Sequence, residues 1–209
     1  MNIISIAAGC VLASALLPVY AQAPRFKPLV ESEMSEAQLK AAREVASGPR
    51  GRLNPDGPSA LLLRSPELMS RTQRVGEYLR FNSSLPLRLN EFAILITARQ
   101  WDAQLEWLIH QPLAVKAGLA PAVAADLAQG RRPAGMKDDE EIVYQFLKEL
   151  HETKAVSDAA FKAAMDRFGE RGVIDLIGVT GYYTMLAMVL NVAQQPLPNG
   201  APPPLPALK

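Results

Sequence analysis

The segment from residue 172 to residue 194 constrains the fold more than any other part of the chain, because it is apolar on nearly all sides. Asp175 lies near its start and Asn191 near its end. A helix that is hydrophobic all round belongs in a protein core or in an interface between subunits. Its length alone would also suit a membrane span, but Gly178, Gly181 and two tyrosines inside it make that interpretation weak.

Other helices are predicted around this segment from the spacing of apolar residues and from start and stop signals. Ser35 and Ser157 are suited to cap helix N-termini, and Gly130 and Gly169 are suited to end helices. The segments with these features are 36–46, 67–80, 87–110, 121–129, 138–153 and 160–168. No stretch shows the alternation of apolar and polar residues that is typical of a strand, so the chain is predicted to be all-α.

Two of these segments are amphipathic. In 67–80, Leu68, Val75 and Leu79 recur at helical spacing, and we expect them to face the core. In 138–153, an acidic start precedes an apolar stripe that includes Phe146.

Residues 1–21 have the pattern of a secretory signal peptide. They contain no charged side chain, 3–17 is almost wholly apolar, and small or branched residues precede a cut after Ala21. We therefore expect a periplasmic or secreted protein with no stable membrane insertion after cleavage. An N-terminal core helix is the alternative, and the lack of a basic residue before the apolar run indicates a weak signal or a start further upstream. The lipoprotein-like sequence that ends at Cys10 has few residues before it, which disfavours lipidation.

The cysteine count and the net charge exclude several classes of function. Cys10 is the only cysteine and lies inside the predicted signal, so the mature chain is expected to have no disulfide, thiolate metal site or cysteine nucleophile. A formal net charge of +1 argues against a dedicated nucleic-acid binder, which usually carries a basic excess.

The length of 209 residues predicts one folded domain with appendages. An N-terminal arm and helix are expected over 22–50, and the helical domain over 51–195. Residues 196–209 are rich in proline, which predicts a polyproline-like tail that is not a folded element.

The segment from Glu91 to His110 contains the densest set of side chains suited to catalysis. In one unbroken helix these two residues would lie about 28 Å apart, at about 1.5 Å per residue. A bend near Trp101, with Asp102 capping a second helix, would instead fold two antiparallel helices together and let Glu91 and His110 meet. Glu106 precedes His110 by one helical turn and shares its face.

Such a cluster is suited to acid–base chemistry. An imidazole donates or accepts a proton near neutral pH, and an adjacent carboxylate fixes its tautomer and stabilises its charged form. Arg99 is a candidate for holding a substrate carboxylate through a two-pronged contact. The competing interpretation is that Glu106 and His110 are a solvated helix pair without a chemical role. His151, in the last turn of segment 138–153, is interpreted as structural, and two histidines on different helices do not suggest a metal site.

Glu91 is followed by Ala103-Gln104-Leu105-Glu106-Trp107-Leu108-Ile109-His110 and then by Ala114, Gly118 and Leu119. Further along are Val156-Ser157-Asp158, Phe168-Gly169-Glu170-Arg171-Gly172 and Gly181-Tyr182-Tyr183-Thr184-Met185-Leu186-Ala187-Met188. Over roughly residues 50 to 200, the chain resembles the carboxymuconolactone decarboxylase/alkylhydroperoxidase D-like family. The resemblance implies an all-helical bundle with a two-helix active-site hairpin, in subunits that form trimers or hexamers.

The redox chemistry of the family is excluded for this chain. The peroxidase members carry Cys-x-x-Cys where this chain has Ala103 and Glu106, and reduction of a peroxide by a dithiol needs two sulfurs. The decarboxylase members lack that pair and keep the histidine, and they remove carbon dioxide from a carboxylated lactone without a cofactor.

The implied activity is that of a cofactor-independent lyase or a proton-transfer isomerase on a small carboxylated or lactone substrate. His110 would be the general acid or base, Glu91 and Glu106 would tune it or relay its proton, and Arg99 would bind the substrate carboxylate. Four aromatic residues are candidates for the pocket lining, with core or trimer-interface packing as the alternative: Trp101, Trp107, Tyr182 and Tyr183.

Two other functions compete with this one. A non-catalytic small-molecule-binding or assembly protein would keep the fold without the chemistry, and an antioxidant accessory protein is suggested by kinship of fold alone. The substrate is not determined by the fold. The predicted export argues against the cytosolic step for which the family is named.

Overall fold

The computed structural model describes residues 23–49 and 51–208, so the predicted signal peptide, residues 1–21, lies outside the described residues. Within these ranges the chain forms helices and no strand, which confirms the all-α prediction. The α-helices are α1 (Glu36–Ser47), α2 (Pro58–Leu62), α3 (Pro66–Phe81), α4 (Leu87–Gln100), α5 (Gln104–Lys116), α6 (Pro121–Ala128), α7 (Asp138–Thr153) and α8 (Asp158–Ala193). Two short 3-10 helices cover Glu31–Glu33 and Pro198–Gly200.

Helix α8 lies at the centre of the fold, where it contacts α2, α3, α4 and α7. Its residues Leu176, Val179 and Ala187 are fully buried. In the part of the chain that is described, α8 is the one helix long and apolar enough to cross a membrane, but 56% of its most apolar window is buried inside the protein. This is the packing of a core helix. Gly169 interrupts α8 with φ 67° and ψ 178°, at the position where a glycine stop is predicted.

Helices α4 and α5 form the predicted hairpin around a short turn. Helix α4 is buried from Leu89 to Arg99. The residue at the N-cap position of α5 is Ala103, so the prediction that Asp102 caps this helix is wrong. Asp102 instead adopts a left-handed conformation with φ 48° and pairs with Arg99, one helical turn earlier. The hairpin therefore closes through an arginine–aspartate pair rather than through a cap.

The prediction that residues 196–209 are not a folded element is wrong for the residues that are described. Leu205 is fully buried in the main core. The Gln104 side chain bonds both backbone groups of Leu205, accepting from its N–H at 2.9 Å and donating to its carbonyl at 3.1 Å. Arg99 donates to the carbonyl of Pro206 at 2.9 Å. The tail thus packs against the α4–α5 turn and supplies hydrogen-bond partners for two of its buried side chains.

The orientation of α3 also differs from the prediction. Leu68 and Val75 are 44% and 50% exposed, and only Leu79 of the three predicted core residues is buried. Leu79 packs beside Gly178 of α8, where the missing side chain leaves room for it. Tyr78, the residue before it on α3, donates to the buried carboxylate of Asp175 on α8 at 2.9 Å. These two contacts set the rotation of α3 about its axis, and they turn Leu68 and Val75 outwards.

Candidate active site

Glu91 and His110 meet across the α4–α5 hairpin. Oε2 of Glu91 lies 2.6 Å from Nδ1 of His110. When Glu91 is ionised, Nδ1 is the donor in this contact, because an ionised carboxylate only accepts hydrogen bonds. In a neutral ring with this tautomer, Nε2 carries the lone pair and is the atom able to accept a proton.

Glu106 approaches the opposite edge of the same imidazole. It lies one helical turn before His110 on α5, and its Oε2 is 3.4 Å from Nε2 of His110. The relative exposures of Glu91, Glu106 and His110 are 2%, 3% and 3%. The interpretation of Glu106 and His110 as a solvated helix pair is therefore wrong, because all three groups are buried together.

A cavity of about 160 Å³ lies beside His110. Glu106 and His110 line it, whereas Glu91 is not part of its wall. Tyr183 of α8 packs against the imidazole with its ring at 85° and the ring centroids 5.0 Å apart. The remaining wall residues are Val45, Arg52, Leu53, Asn54, Gly57, Pro58, Ser59, Arg80, Ile109 and Leu186.

Of the five residues predicted to bind substrate, Tyr183 alone lines this cavity. Trp107 and Tyr182 are buried in the main core, and Trp101 packs against that core from its edge. These three positions agree with the alternative interpretation, in which the aromatic side chains pack in the core.

The structure places Arg99, the residue predicted to hold a substrate carboxylate, away from the His110 cavity. Its guanidinium is buried and donates to the carbonyls of Ala128 and Pro206 at 3.0 and 2.9 Å, and it pairs with Asp102. Arg99 lies at the turn of the hairpin, outside the wall of the His110 cavity. Its role is to hold the turn and the C-terminal tail together.

Two arginines that sequence reasoning missed line the cavity instead. Arg52 lies in the loop between α1 and α2, and Arg80 lies in the last turn of α3. Both are far from His110 along the chain, and no local pattern distinguishes them from the other arginines. Their placement depends on the packing of α3 against α8 and on the path of the loop.

A larger groove adjoins the other side of this loop. Its volume is about 560 Å³, and its wall is formed by the N-terminal arm, α1 and α2. Arg52 and Leu53 line both the groove and the His110 cavity. Most other wall residues of the groove are apolar, among them Phe26, Leu39 and Leu61.

His151 lies on α7 and is not part of the cavity wall. Burial and the nearby charge of Lys154 lower the pKa of His151 below its ordinary value. The neutral imidazole is favoured at this position, so His151 does not add a positive charge to the C-terminus of α7 near neutral pH.

Among residues 23–49 and 51–208, no group of three or more His, Cys, Asp or Glu side chains has an arrangement that could hold a metal ion.

No protein-family model matches the chain, and no characterised protein matches it in sequence. The family resemblance stays a prediction.

Proposed function

We propose that this protein is a cofactor-independent lyase or proton-transfer isomerase of the carboxymuconolactone decarboxylase-like type, with His110 as its general acid or base. One observation carries the proposal. A buried imidazole is held by Glu91 at Nδ1 and flanked by Glu106 at Nε2, and His110 and Glu106 together line a cavity. Buried titratable groups that converge on a cavity are the usual arrangement of acid–base sites.

In a decarboxylation, the bond between the substrate carbon and its carboxylate breaks, carbon dioxide leaves, and the electron pair passes into the unsaturated ring as a dienolate. Protonated His110 forms the new C–H bond by delivering its Nε2 proton, and it then takes up a proton from water. In an isomerisation, neutral Nε2 removes a proton from one substrate carbon and returns it to another. Glu91 keeps the ring oriented in both reactions, and Glu106 stabilises the imidazolium.

Proton exchange in deuterated water tests this proposal even while the substrate is unidentified. The purified protein is incubated with a panel of small carboxylated lactones and unsaturated acids, and NMR follows deuterium incorporation and loss of carbon dioxide. We expect His110→Gln to slow the reaction by about 100-fold or more. His151→Gln is the matched control and should react like the wild type. Wild-type rates in His110→Gln would remove the assignment.

The second candidate function is a non-catalytic small-molecule-binding protein of the same fold. It is favoured by the groove of about 560 Å³, whose size suits a small ligand and whose wall lacks His110 and both of its glutamates. It predicts ligand binding without deuterium exchange for any compound of the panel, and the same affinity in His110→Gln.

We also propose that the protein is exported and forms homo-oligomers. The signal-like residues 1–21 support export. Ile174 and Ile177 of α8 and Val75 of α3 are 66%, 44% and 50% exposed, which supports contact with further subunits. Light scattering after size exclusion should report a mass above the 22.7 kDa of one chain. Ile174→Glu should lower that mass, whereas Glu170→Gln should leave it unchanged.

A further inference from the structure

The described wall of the His110 cavity contains two arginines and one carboxylate. Among the described residues that line it, Arg52 and Arg80 are the only arginines or lysines, and Glu106 is the only aspartate or glutamate. Tyr183 and Leu186 of the central helix α8 belong to the same wall. The described wall therefore offers a ligand two positively charged side chains.

The two guanidinium groups are not engaged by the rest of the described protein. Arg80 is half-buried, and its one contact of note is with the ring of Phe81, 5.6 Å from the guanidinium carbon to the ring centroid. Within residues 23–49 and 51–208, neither Arg52 nor Arg80 forms a hydrogen bond or an ion pair. By contrast, Arg88 is paired with Asp139.

The geometry points to a ligand carboxylate bound by Arg80 with the help of Arg52, at the mouth of the His110 cavity; this inference deepens the proposed function and rests on it for the reaction. A planar guanidinium matches a carboxylate through two parallel hydrogen bonds. A single carboxylate bound between the two arginines gives both guanidinium groups a negatively charged partner and adds one negative charge near Glu106. A doubly charged phosphate would place a second negative charge beside Glu106.

The two arginines have different roles in this arrangement. Arg80 is fixed by the helical backbone of α3, whereas Arg52 is exposed on the loop that separates the cavity from the larger groove. Arg80 is the anchor that sets the position of the carboxylate, and Arg52 completes the contact from the loop. Both are substrate-positioning residues, and the proton transfer itself belongs to His110.

The inference is tested by comparing the affinity of the protein for small carboxylates with its affinity for the corresponding neutral amides. The probes are acetate, sorbate and benzoate, each paired with its amide, and calorimetry with the purified protein measures the affinities. We expect at least one acid to bind about 10-fold or more tightly than its amide. Arg80→Gln should weaken binding of that acid by about 10- to 100-fold and leave the amide unchanged. Arg52→Gln should have a smaller effect in the same direction.

Arg74→Gln is the matched control, because Arg74 lies on the exposed side of the same helix and does not line the cavity. It should bind every probe like the wild type. Arg80→Lys keeps the charge without the planar fork and should recover part of the affinity. Equal binding of all acids and their amides, or wild-type affinity for the acids in the double variant Arg52→Gln/Arg80→Gln, would overturn the inference. Inorganic phosphate that bound as tightly as the best acid would overturn the assignment to a carboxylate.

His110→Gln separates the inference from the proposed function. That variant should keep the preference for acids over amides and lose turnover. If His110→Gln retains turnover while Arg80→Gln loses acid binding, the acid–base role fails and the carboxylate site stands.

Discussion

Oε2 of Glu91 lies 2.6 Å from Nδ1 of His110, although the two residues belong to different helices and are 19 positions apart in the chain. The contact is buried and joins the two arms of the α4–α5 hairpin. It also leaves the opposite nitrogen of the imidazole beside Glu106, in a ring that lines the cavity. The packing of the hairpin and the orientation of the candidate acid–base group therefore depend on the same hydrogen bond.

Two substitutions of Glu91 should separate its hydrogen bond from its charge. Glu91→Gln keeps an oxygen that accepts from Nδ1, whereas Glu91→Leu leaves the buried N–H without an acceptor. We expect Glu91→Leu to be less stable than Glu91→Gln by about 1–3 kcal/mol, because an unsatisfied buried donor carries its full desolvation cost. Urea unfolding followed by circular dichroism measures the difference. Equal free energies of unfolding would contradict this view of the contact.

The C-terminal tail should contribute measurably to stability. Leu205→Ala removes a side chain that is 1% exposed, and we expect a loss of about 2–5 kcal/mol in the free energy of unfolding. Leu208→Ala is the control three residues later, where the side chain is 53% exposed and the expected change is within about 0.5 kcal/mol. Thermal and urea denaturation of both variants test the difference. A tail that did not pack would give the two variants the same stability.

Two glycines of α8 should respond in opposite directions to alanine. A Cβ atom at Gly169 or at Gly181 would meet open space, so packing does not distinguish the two positions. Gly169 has φ 67° and ψ 178°, a region that costs a residue with a side chain about 1–3 kcal/mol. Gly181 lies within regular helix, where alanine should stabilise by about 0.4–1 kcal/mol. Denaturant titrations should therefore give Gly169→Ala a lower free energy of unfolding than the wild type, and Gly181→Ala a higher one.

Asp175 should make the stability dependent on pH in acid. Burial would raise its pKa, but hydrogen bonds from the hydroxyl and N–H of Ser84 and from Tyr78 outweigh burial and hold the pKa below its ordinary value of 3.8. A carboxylate with a lowered pKa stabilises the fold fully above its unfolded pKa, and this contribution is lost as the pH falls through its folded pKa. Wild-type stability should therefore decrease below about pH 4.

Asp175→Asn should be less stable than the wild type near neutral pH by about 1–3 kcal/mol. It should also lose less stability than the wild type on acidification, because the titrating group is gone. Asp56→Asn, in an exposed loop, is the control and should follow the wild-type pH profile. Parallel pH profiles for the wild type and Asp175→Asn would show that Asp175 does not titrate with unfolding.

The features of the fold that were predicted correctly from the sequence are those determined by residues close together in the chain. The α4–α5 hairpin follows from two apolar helical segments and a bend, and it is sufficient to bring Glu91 and His110 together. The rotation of α3 had a non-local cause, because Gly178 and Asp175 of α8 select which face of α3 packs inwards. Periodicity alone assigned Leu68 and Val75 to the core.

The position of the Arg99 side chain also has a non-local cause. Its nearness to His110 in the sequence suggested a shared site, but the hairpin turns the Arg99 side chain towards Ala128 and the tail. Arg52 and Arg80 reach the cavity from elements that precede the hairpin, and no spacing rule connects them to His110. The tail was interpreted from its proline content, which excludes regular helix but does not exclude burial of Leu205.

The bonds from Gln104 and Arg99 to residues 205 and 206 have a consequence for the order in which the protein is made. During synthesis these late residues leave the ribosome after the whole of the hairpin has emerged. Until then, the amide of Gln104 lacks its partners at Leu205, and Arg99 lacks its partner at Pro206. The hairpin therefore reaches its final packing only after residue 206 has been synthesised, about 100 residues later than Arg99 and Gln104 themselves.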